Sequence, residues 1–203
     1  MALPPRAKAG EKVSAKVEAQ KVLPGFIEPC LPSKADRPPS GPDWVHEIKH
    51  DGYRLMVRRD GGRVRCFTKN GHDWADRFPG IVAAALTLSK ASSFVIDGEV
   101  VVPRADGMPD FNALRSRGHE ALLYAFDLIE HDGTDLRDLA LIERKRRLST
   151  LIGRSAIHFD EHLGHDGAVV FEHACRMGLE GIVSKRIDAP YRFGPSKAWL
   201  EAP

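Results

Sequence analysis

Between Trp44 and Thr68, three extended stretches are separated by only two short turns, and that spacing leaves little choice of architecture. Trp44-Val45-His46-Glu47-Ile48 alternates apolar with polar residues, as a half-buried strand does. Asp51-Gly52 supplies a turn, Tyr53–Arg59 resumes the extended pattern, and Gly61-Gly62 turns the chain into Arg63-Val64-Arg65-Cys66-Phe67-Thr68. Strands joined so closely run antiparallel, because a parallel pair needs a crossover of about a dozen residues or more. Further strands are expected at Phe94-Val95-Ile96 and Val100-Val101-Val102, broken by Gly98, at the apolar run Leu122–Ile129, and at Gly181-Ile182-Val183. Helices are expected over 75–90, starting near Pro79, over Leu141–Ile152 around the basic block Arg144-Lys145-Arg146-Arg147, and over 167–178 with Gly178 as the stop. Strands outnumber helices and come as hairpins, so the expected class is antiparallel α+β rather than a doubly wound sheet.

The flanks read differently. Residues 1–22 carry Arg6, Lys8, Lys12, Lys16 and Lys21 with almost no large apolar residue, the composition of a flexible basic arm. Pro24, Pro29, Pro32, Pro38, Pro39 and Pro42 mark a segment expected to wrap the domain rather than join its sheet. Residues 23–203 then form one domain. With a net charge of +2, any nucleic-acid surface must be a local patch. Cys30, Cys66 and Cys175 are scattered and form no CxxC pair, which argues against a disulfide framework or a zinc site. No apolar run approaches the roughly 20 residues of a membrane span, and the N-terminus lacks the apolar stretch of a secretory signal. The expected location is the cytoplasm.

Four clusters carry chemistry. In Glu47-Ile48-Lys49-His50-Asp51-Gly52-Tyr53-Arg54, a lysine follows directly on an apolar strand. Desolvation or a neighbouring cation would lower its pKa and make it a nucleophile, while Arg54 offers a planar fork to a sugar or phosphate. Asp97-Gly98-Glu99 places carboxylates at the end of a buried stretch, suited to a metal or a ribose hydroxyl. Tyr124-Ala125-Phe126-Asp127 holds an aromatic that either stacks on a base or fills the core. Glu180-Gly181-Ile182-Val183-Ser184-Lys185-Arg186 brackets a strand with an acid and a base.

Taken in this order, K-x-D-G-x-R, D-G-E, the aromatic-Asp strand and E-G-I-V-x-K resemble the nucleotidyltransferase domain of ATP-dependent DNA ligases. WVHEIKHDGYR, TKNGHDWADRFP, FNALRS, FDLIEHDG and LEGIVSKR resemble most the ligase module of bacterial end-joining ligases. The resemblance spans about Phe26 to Trp199 and implies an α+β, antiparallel-sheet-rich, ATP-grasp-like adenylation domain. It implies that Lys49 attacks the α-phosphate of ATP and holds AMP, with Mg²⁺ or Mn²⁺ as cofactor, before AMP passes to a 5′-phosphate at a DNA nick. By the same resemblance Glu47 contacts the adenine amino group, Arg54 the ribose, and Phe126 the face of the base. Glu99 binds ribose or metal, Glu180 binds metal, and Lys185 meets the α-phosphate. Lys69 stands where these ligases usually carry an arginine and is expected to contact DNA, keeping the charge without the bidentate fork.

The end of the chain departs from the pattern. Where the family has G-R-S-x-x-W-x-K-x-K, this chain reads Gly194-Pro195-Ser196-Lys197-Ala198-Trp199-Leu200-Glu201-Ala202-Pro203. Arginine has become Pro195, and the two lysines have become Glu201 and Pro203. The OB-fold that follows in these ligases would lie beyond Pro203. Weakened self-adenylylation is therefore expected, with a separate OB-fold or end-joining protein as a partner, and with Lys197 as a possible substitute cation. Two alternatives stand beside it: a non-catalytic remnant that holds DNA nicks or ends through the basic arm and Arg144–Arg147, and an RNA-ligating or capping relative.

Overall fold

The computed structural model describes residues 25–202, so the expectation of a basic arm at 1–22 lies outside the described residues. Two sheets form the body. The first has the order β1(Cys30–Lys34), β11(Gly194–Ala202), β10(Ile182–Arg186), β2(Trp44–Ile48), β9(His162–Leu163). The second runs β4(Arg63–Thr68), β3(Tyr53–Asp60), β5(Ser93–Val101), β6(Leu122–His131), β7(Thr134–Asp135), and β8(His158–Phe159) pairs with β6. Most pairings are antiparallel, as the hairpin turns require, and only β1 with β11 and β6 with β8 run parallel. Among the described residues, three α-helices cover the sheets: α1(Pro79–Thr87), α2(Leu141–Ile152) and α3(Gly167–Arg176). No helix among the described residues is long and apolar enough to cross a membrane.

The second sheet is buried on both faces, which explains why β6 reads as a nearly continuous apolar run. Leu55, Val57, Phe94, Ile96, Ala125 and Leu128 face one core with α1 and α2. Met56, Val95, Phe126 and Ile129 face the opposite way, into a core shared with Trp199 and Tyr191. A third, smaller cluster seats Val170 and Ala174 of α3 against Ile182 of β10.

The structure corrects three expectations. The proline-rich segment does enter a sheet: β1 contains Pro32 and pairs with β11. It lies at the edge, where a strand needs donors on one side only. Gly98 does not break its strand, since β5 continues from Ser93 to Val101. The glycine is there for space, because a Cβ would sit 2.6 Å from the Tyr124 carbonyl oxygen. The basic block of α2 is not one solvated patch. Arg144 and Lys145 are buried, with Arg144 donating to Asp127 at 2.7 and 2.9 Å. Only Arg146 and Arg147 face outward, and both bond Glu143.

Two register shifts in the β5–β6 ladder place the site. Asp97 pairs with Asp127 and Gly98 with Ala125, so Phe126 is an extra residue bulged out of the ladder. The two opposed aspartates are wholly buried, and each is matched by an arginine. Two buried carboxylates side by side would repel, and the two arginines supply the counter-charge at the bulge beside Phe126.

Candidate active site

Lys49 stands immediately after β2, where its N–H bonds the Gly181 carbonyl at 3.0 Å, and β3 begins four residues later. The turn is packed tightly at Gly52, where a Cβ would meet the Val100 carbonyl oxygen at 2.1 Å. Gly52→Ala should therefore destabilise the fold by about 1–3 kcal/mol, read as a lower urea midpoint with an unchanged slope.

The turn opens into a cavity of about 280 Å³. Its walls include Glu47, Lys49, Arg54, Glu99, Phe126, Glu180 and Lys185, all but one of the site residues expected from sequence, gathered from four separate segments. Lys69 lies apart, exposed on the rim of a neighbouring cavity of about 480 Å³ that shares Gly52, Arg54 and Glu99.

The details are less simple than the motif suggests. Lys49 Nζ donates to Glu180 Oε1 at 2.5 Å and lies 3.7 Å from Glu201 Oε2. Burial pulls its pKa down, but the Glu180 bond and the two carboxylate charges outweigh burial and hold it above the ordinary lysine value. The expected lowering is thus reversed, because the neighbours are anions rather than a cation. Glu201 sits at 25% side-chain exposure and lines the same cavity. β11 brings it there by pairing it with Val183 of β10 on one side and Lys34 of β1 on the other.

Glu47 is buried, and both its oxygens are taken: Lys145 Nζ donates at 2.6 Å and Lys185 bonds the other oxygen. Burial alone would push this carboxyl up, but the two ammonium groups hold it below the usual range. Lys185 also stands 4.1 Å from the Phe126 ring centroid and 4.0 Å from that of Trp199. Arg54 is fixed by Asp97 at 2.5 and 2.6 Å and by the Cys30 carbonyl at 3.1 Å. Tyr191 closes the network by donating to Asp97 at 2.7 Å and accepting from the Cys30 N–H at 2.9 Å. The Arg54 guanidinium lies 4.5 Å from the Phe126 ring, which leaves the aromatic walled by cations.

Sequence reasoning missed Lys145, Asp97 and Tyr191 as parts of this scaffold. Lys145 did leave a signal: Leu141, Arg144, Lys145 and Leu148 share the buried face of α2 at helical spacing. Buried cations on an apolar face need buried acids, and Asp127 and Glu47 are those acids. Tyr191 left none, because its partners are 94 and 161 residues away.

Glu99 is pushed up to about 8, first by burial and then by Asp97, Glu180 and Asp51, against the pull of Arg54. Asp51 is also raised, by burial and by Glu180. Carboxylates that repel one another in this way are short of positive charge, which suits a hard cation. Among the described residues no group of three or more His, Cys, Asp or Glu side chains is arranged to hold a metal ion by itself. Glu99 and Glu180 fit instead the pattern in which Mg²⁺ takes one or two carboxylates and completes its shell with water and substrate phosphate. Cation binding, followed by Mn²⁺ titration, should strengthen about tenfold for each pH unit from 6 toward 8, as Glu99 loses its proton. In the cation-free protein the sign for stability is opposite. Folded Glu99 keeps its proton up to about 8 and an unfolded glutamate loses it near 4.5, so stability falls as pH rises between those values.

A lysine just past a strand end faces carboxylates and a caged aromatic between two mostly antiparallel sheets, the architecture of a nucleotidyltransferase domain. Residues 28–201 match the family model described as ATP dependent DNA ligase domain, and the chain belongs to that family. It is 42% identical over 187 residues to the multifunctional non-homologous end joining protein LigD of Pseudomonas aeruginosa, covering 88% of this chain and 22% of that protein. It is 29% identical to the SPbeta prophage-derived DNA ligase-like protein LigB of Bacillus subtilis, over 87% of this chain and 67% of that one. The chain thus spans about a fifth of the LigD relative. Among solved structures, mycobacterial DNA ligase D complexed with ATP and MES matches with a TM-score of 0.79 and 32% identity, over 86% of this chain and 59% of that one. The ligase domain from Mycobacterium tuberculosis LigD matches with a TM-score of 0.78, over 85% and 58%. The expected antiparallel, ligase-type fold is the one observed.

Proposed function

We propose that this chain is an adenylation domain that forms a lysyl-AMP intermediate on Lys49 and passes AMP to the 5′-phosphate of nicked DNA. The observation that carries the reading is the single cavity in which Lys49 meets Glu47, Arg54, Glu99, Phe126, Glu180 and Lys185. Adenosine would lie against Phe126, at the end of the cavity where Glu47 is held by two lysines. Lys49 Nζ attacks the α-phosphorus, the new N–P bond forms, and the bond to pyrophosphate breaks with its electron pair. Such transfers depend on in-line positioning and charge neutralisation rather than on acid–base groups. Glu99 and Glu180 would hold Mg²⁺ or Mn²⁺, which when bound neutralises phosphate charge. With Glu180 so engaged, its bond to Lys49 would be given up, and the ammonium would pass its proton to solvent water before the nitrogen attacks. Lys185, buried and ion-paired with Glu47, would offer its remaining donors to the α-phosphate, while exposed Lys69 would meet the DNA backbone.

The test is incubation with α-labelled ATP and Mg²⁺ or Mn²⁺, followed by a denaturing gel. Label on the wild type that is lost in Lys49→Ala and not obtained from GTP supports this reading. The contact of Glu201 with Lys49 favours a second reading, a protein that holds nicked DNA without becoming charged. Salt-dependent binding of nicked duplex with no label under any condition selects it.

A further inference from the structure

Two buried acids line the nucleotide cavity close to Phe126, and one of them is already engaged. Glu47 meets Lys145 through one oxygen and Lys185 through the other, so two ammonium groups balance its charge before any ligand arrives. Asp160 is nearly as deep, with a side chain 6% exposed.

Register puts Asp160 there. β8 pairs with β6 in parallel, Tyr124 against His158 and Ala125 against Phe159. The next rung is the Asp160 N–H, which donates to the Ala125 carbonyl at 2.8 Å. Lys145 Nζ ties the corner together. Beside its bond to Glu47, it donates to the Asp160 carbonyl at 2.9 Å and to the Phe126 carbonyl at 3.5 Å. Asp160 therefore stands next to both Glu47 and Phe126, where the edge of a base lying on that ring would fall.

Among the described residues the Asp160 carboxylate takes one side-chain bond, from His50 Nε2 at 3.1 Å. The His50 ring packs on Tyr124 with centroids 4.3 Å apart, and Tyr124 stacks on His158 at 5.1 Å. Burial pushes the Asp160 carboxyl up, the Glu47 charge adds to this, and His50 and Lys145 only partly oppose it. Such an acid is short of donors, and a carboxylate has acceptor positions to spare for another.

Resting on the adenylation reading above, we propose that Asp160, rather than Glu47, selects the base by accepting a hydrogen bond from the 6-amino group of adenine. Guanine carries a carbonyl oxygen at that position, and two acceptors facing each other in a buried corner repel. Glu47 is left to hold β2, α2 and β10 together.

The experiment compares ligands within each variant, so a change in the folded fraction cancels. The ligands are ATP, GTP and purine riboside triphosphate, which lacks only the 6-amino group of ATP. Each is titrated by calorimetry into wild type, Asp160→Ala, Asp160→Asn and the control Arg117→Ala, whose arginine bonds Glu120 away from the cavity. EDTA in every titration prevents adenylate transfer, so binding alone is read. Wild type and Arg117→Ala should bind ATP at least about tenfold more tightly than purine riboside triphosphate, the equivalent of roughly 1.4 kcal/mol. Asp160→Ala should bind these two alike, by losing affinity for ATP only. Asp160→Asn, whose amide can turn its NH₂ toward a carbonyl oxygen, should narrow the gap between ATP and GTP. The full ATP preference persisting in both Asp160 variants, or a wild type with no preference for ATP over purine riboside triphosphate, overturns the proposal. If the preference follows Asp160 but Lys49 takes no label from ATP with metal present, the adenylation reading fails and the base assignment stands.

Discussion

Replacing Glu201 by lysine should raise the rate of lysyl-AMP formation by at least about tenfold, the equivalent of roughly 1.4 kcal/mol in the barrier. Two effects act in the same direction. Glu201 Oε2 lies 3.7 Å from Lys49 Nζ and helps hold its ammonium in the charged, non-nucleophilic form. The same carboxylate faces the cavity into which a polyphosphate must enter. At about 4 Å, a unit charge pair near a protein surface interacts by roughly 4 kcal/mol, so partial screening still leaves a large effect when the sign is reversed. The family carries lysine at the matching position, and β11 would present it to the same space. Glu201→Gln should give a smaller gain, since it removes the repulsion without adding a cation. The measurement is the initial rate of label transfer from α-labelled ATP at fixed metal and pH. A rate in Glu201→Lys no higher than wild type would show that Glu201 does not restrain the site.

Glu47→Leu should cost about 3–5 kcal/mol of folding stability, the largest loss expected from any single change near the cavity. The Glu47 carboxylate joins three elements: its own strand β2, helix α2 through Lys145, and strand β10 through Lys185. All three side chains are 2% exposed or less. Removing the acid leaves two buried ammonium groups facing each other without their shared counter-charge. Lys145 would keep its bonds to the Asp160 and Phe126 carbonyls at 2.9 and 3.5 Å, which bound the damage without supplying a counter-charge. Denaturant unfolding should show the lower midpoint. Pairing Glu47→Leu with Lys185→Met should recover part of the loss, because it removes one of the stranded charges. The double variant keeps its fold while losing a group assigned to the phosphate, so stability and labelling should separate. Equal stability of wild type and Glu47→Leu would mean that Glu47 is no electrostatic hub.

The sequence made much of this arrangement readable, and the reasons are local. Turn chemistry at Gly61-Gly62 sufficed for the β3–β4 hairpin and helical spacing for α2, whereas Asp51-Gly52 does not join an antiparallel pair: it carries the chain from β2 in one sheet to β3 in the other. The motif residues converge because β2, β3, β5, β6 and β10 each carry one of them toward the same gap between sheets, with Lys49 just after β2 and Glu180 just before β10. The hidden parts depend on contacts distant in sequence. β11 carries Pro195 and mixed polarity, so nothing in its spacing announced a strand between β1 and β10. β7, β8 and β9 have two residues each, too few to show a period. The protonation of Lys49 was misjudged because a lysine's pKa depends on which charges surround it. Glu180 reaches it from just before β10 and Glu201 from β11, both more than a hundred residues along the chain.

The central claim is that Lys49 accepts the adenylate. It is tested most directly by incubating wild type and Glu201→Lys with ATP and Mg²⁺ or Mn²⁺, then locating AMP by mass spectrometry of the peptides. AMP on the peptide that contains Lys49, in an acid-labile phosphoramidate linkage and more abundant in Glu201→Lys, is the expected result. A bare Lys49 in both proteins, or AMP attached to another residue, would contradict it.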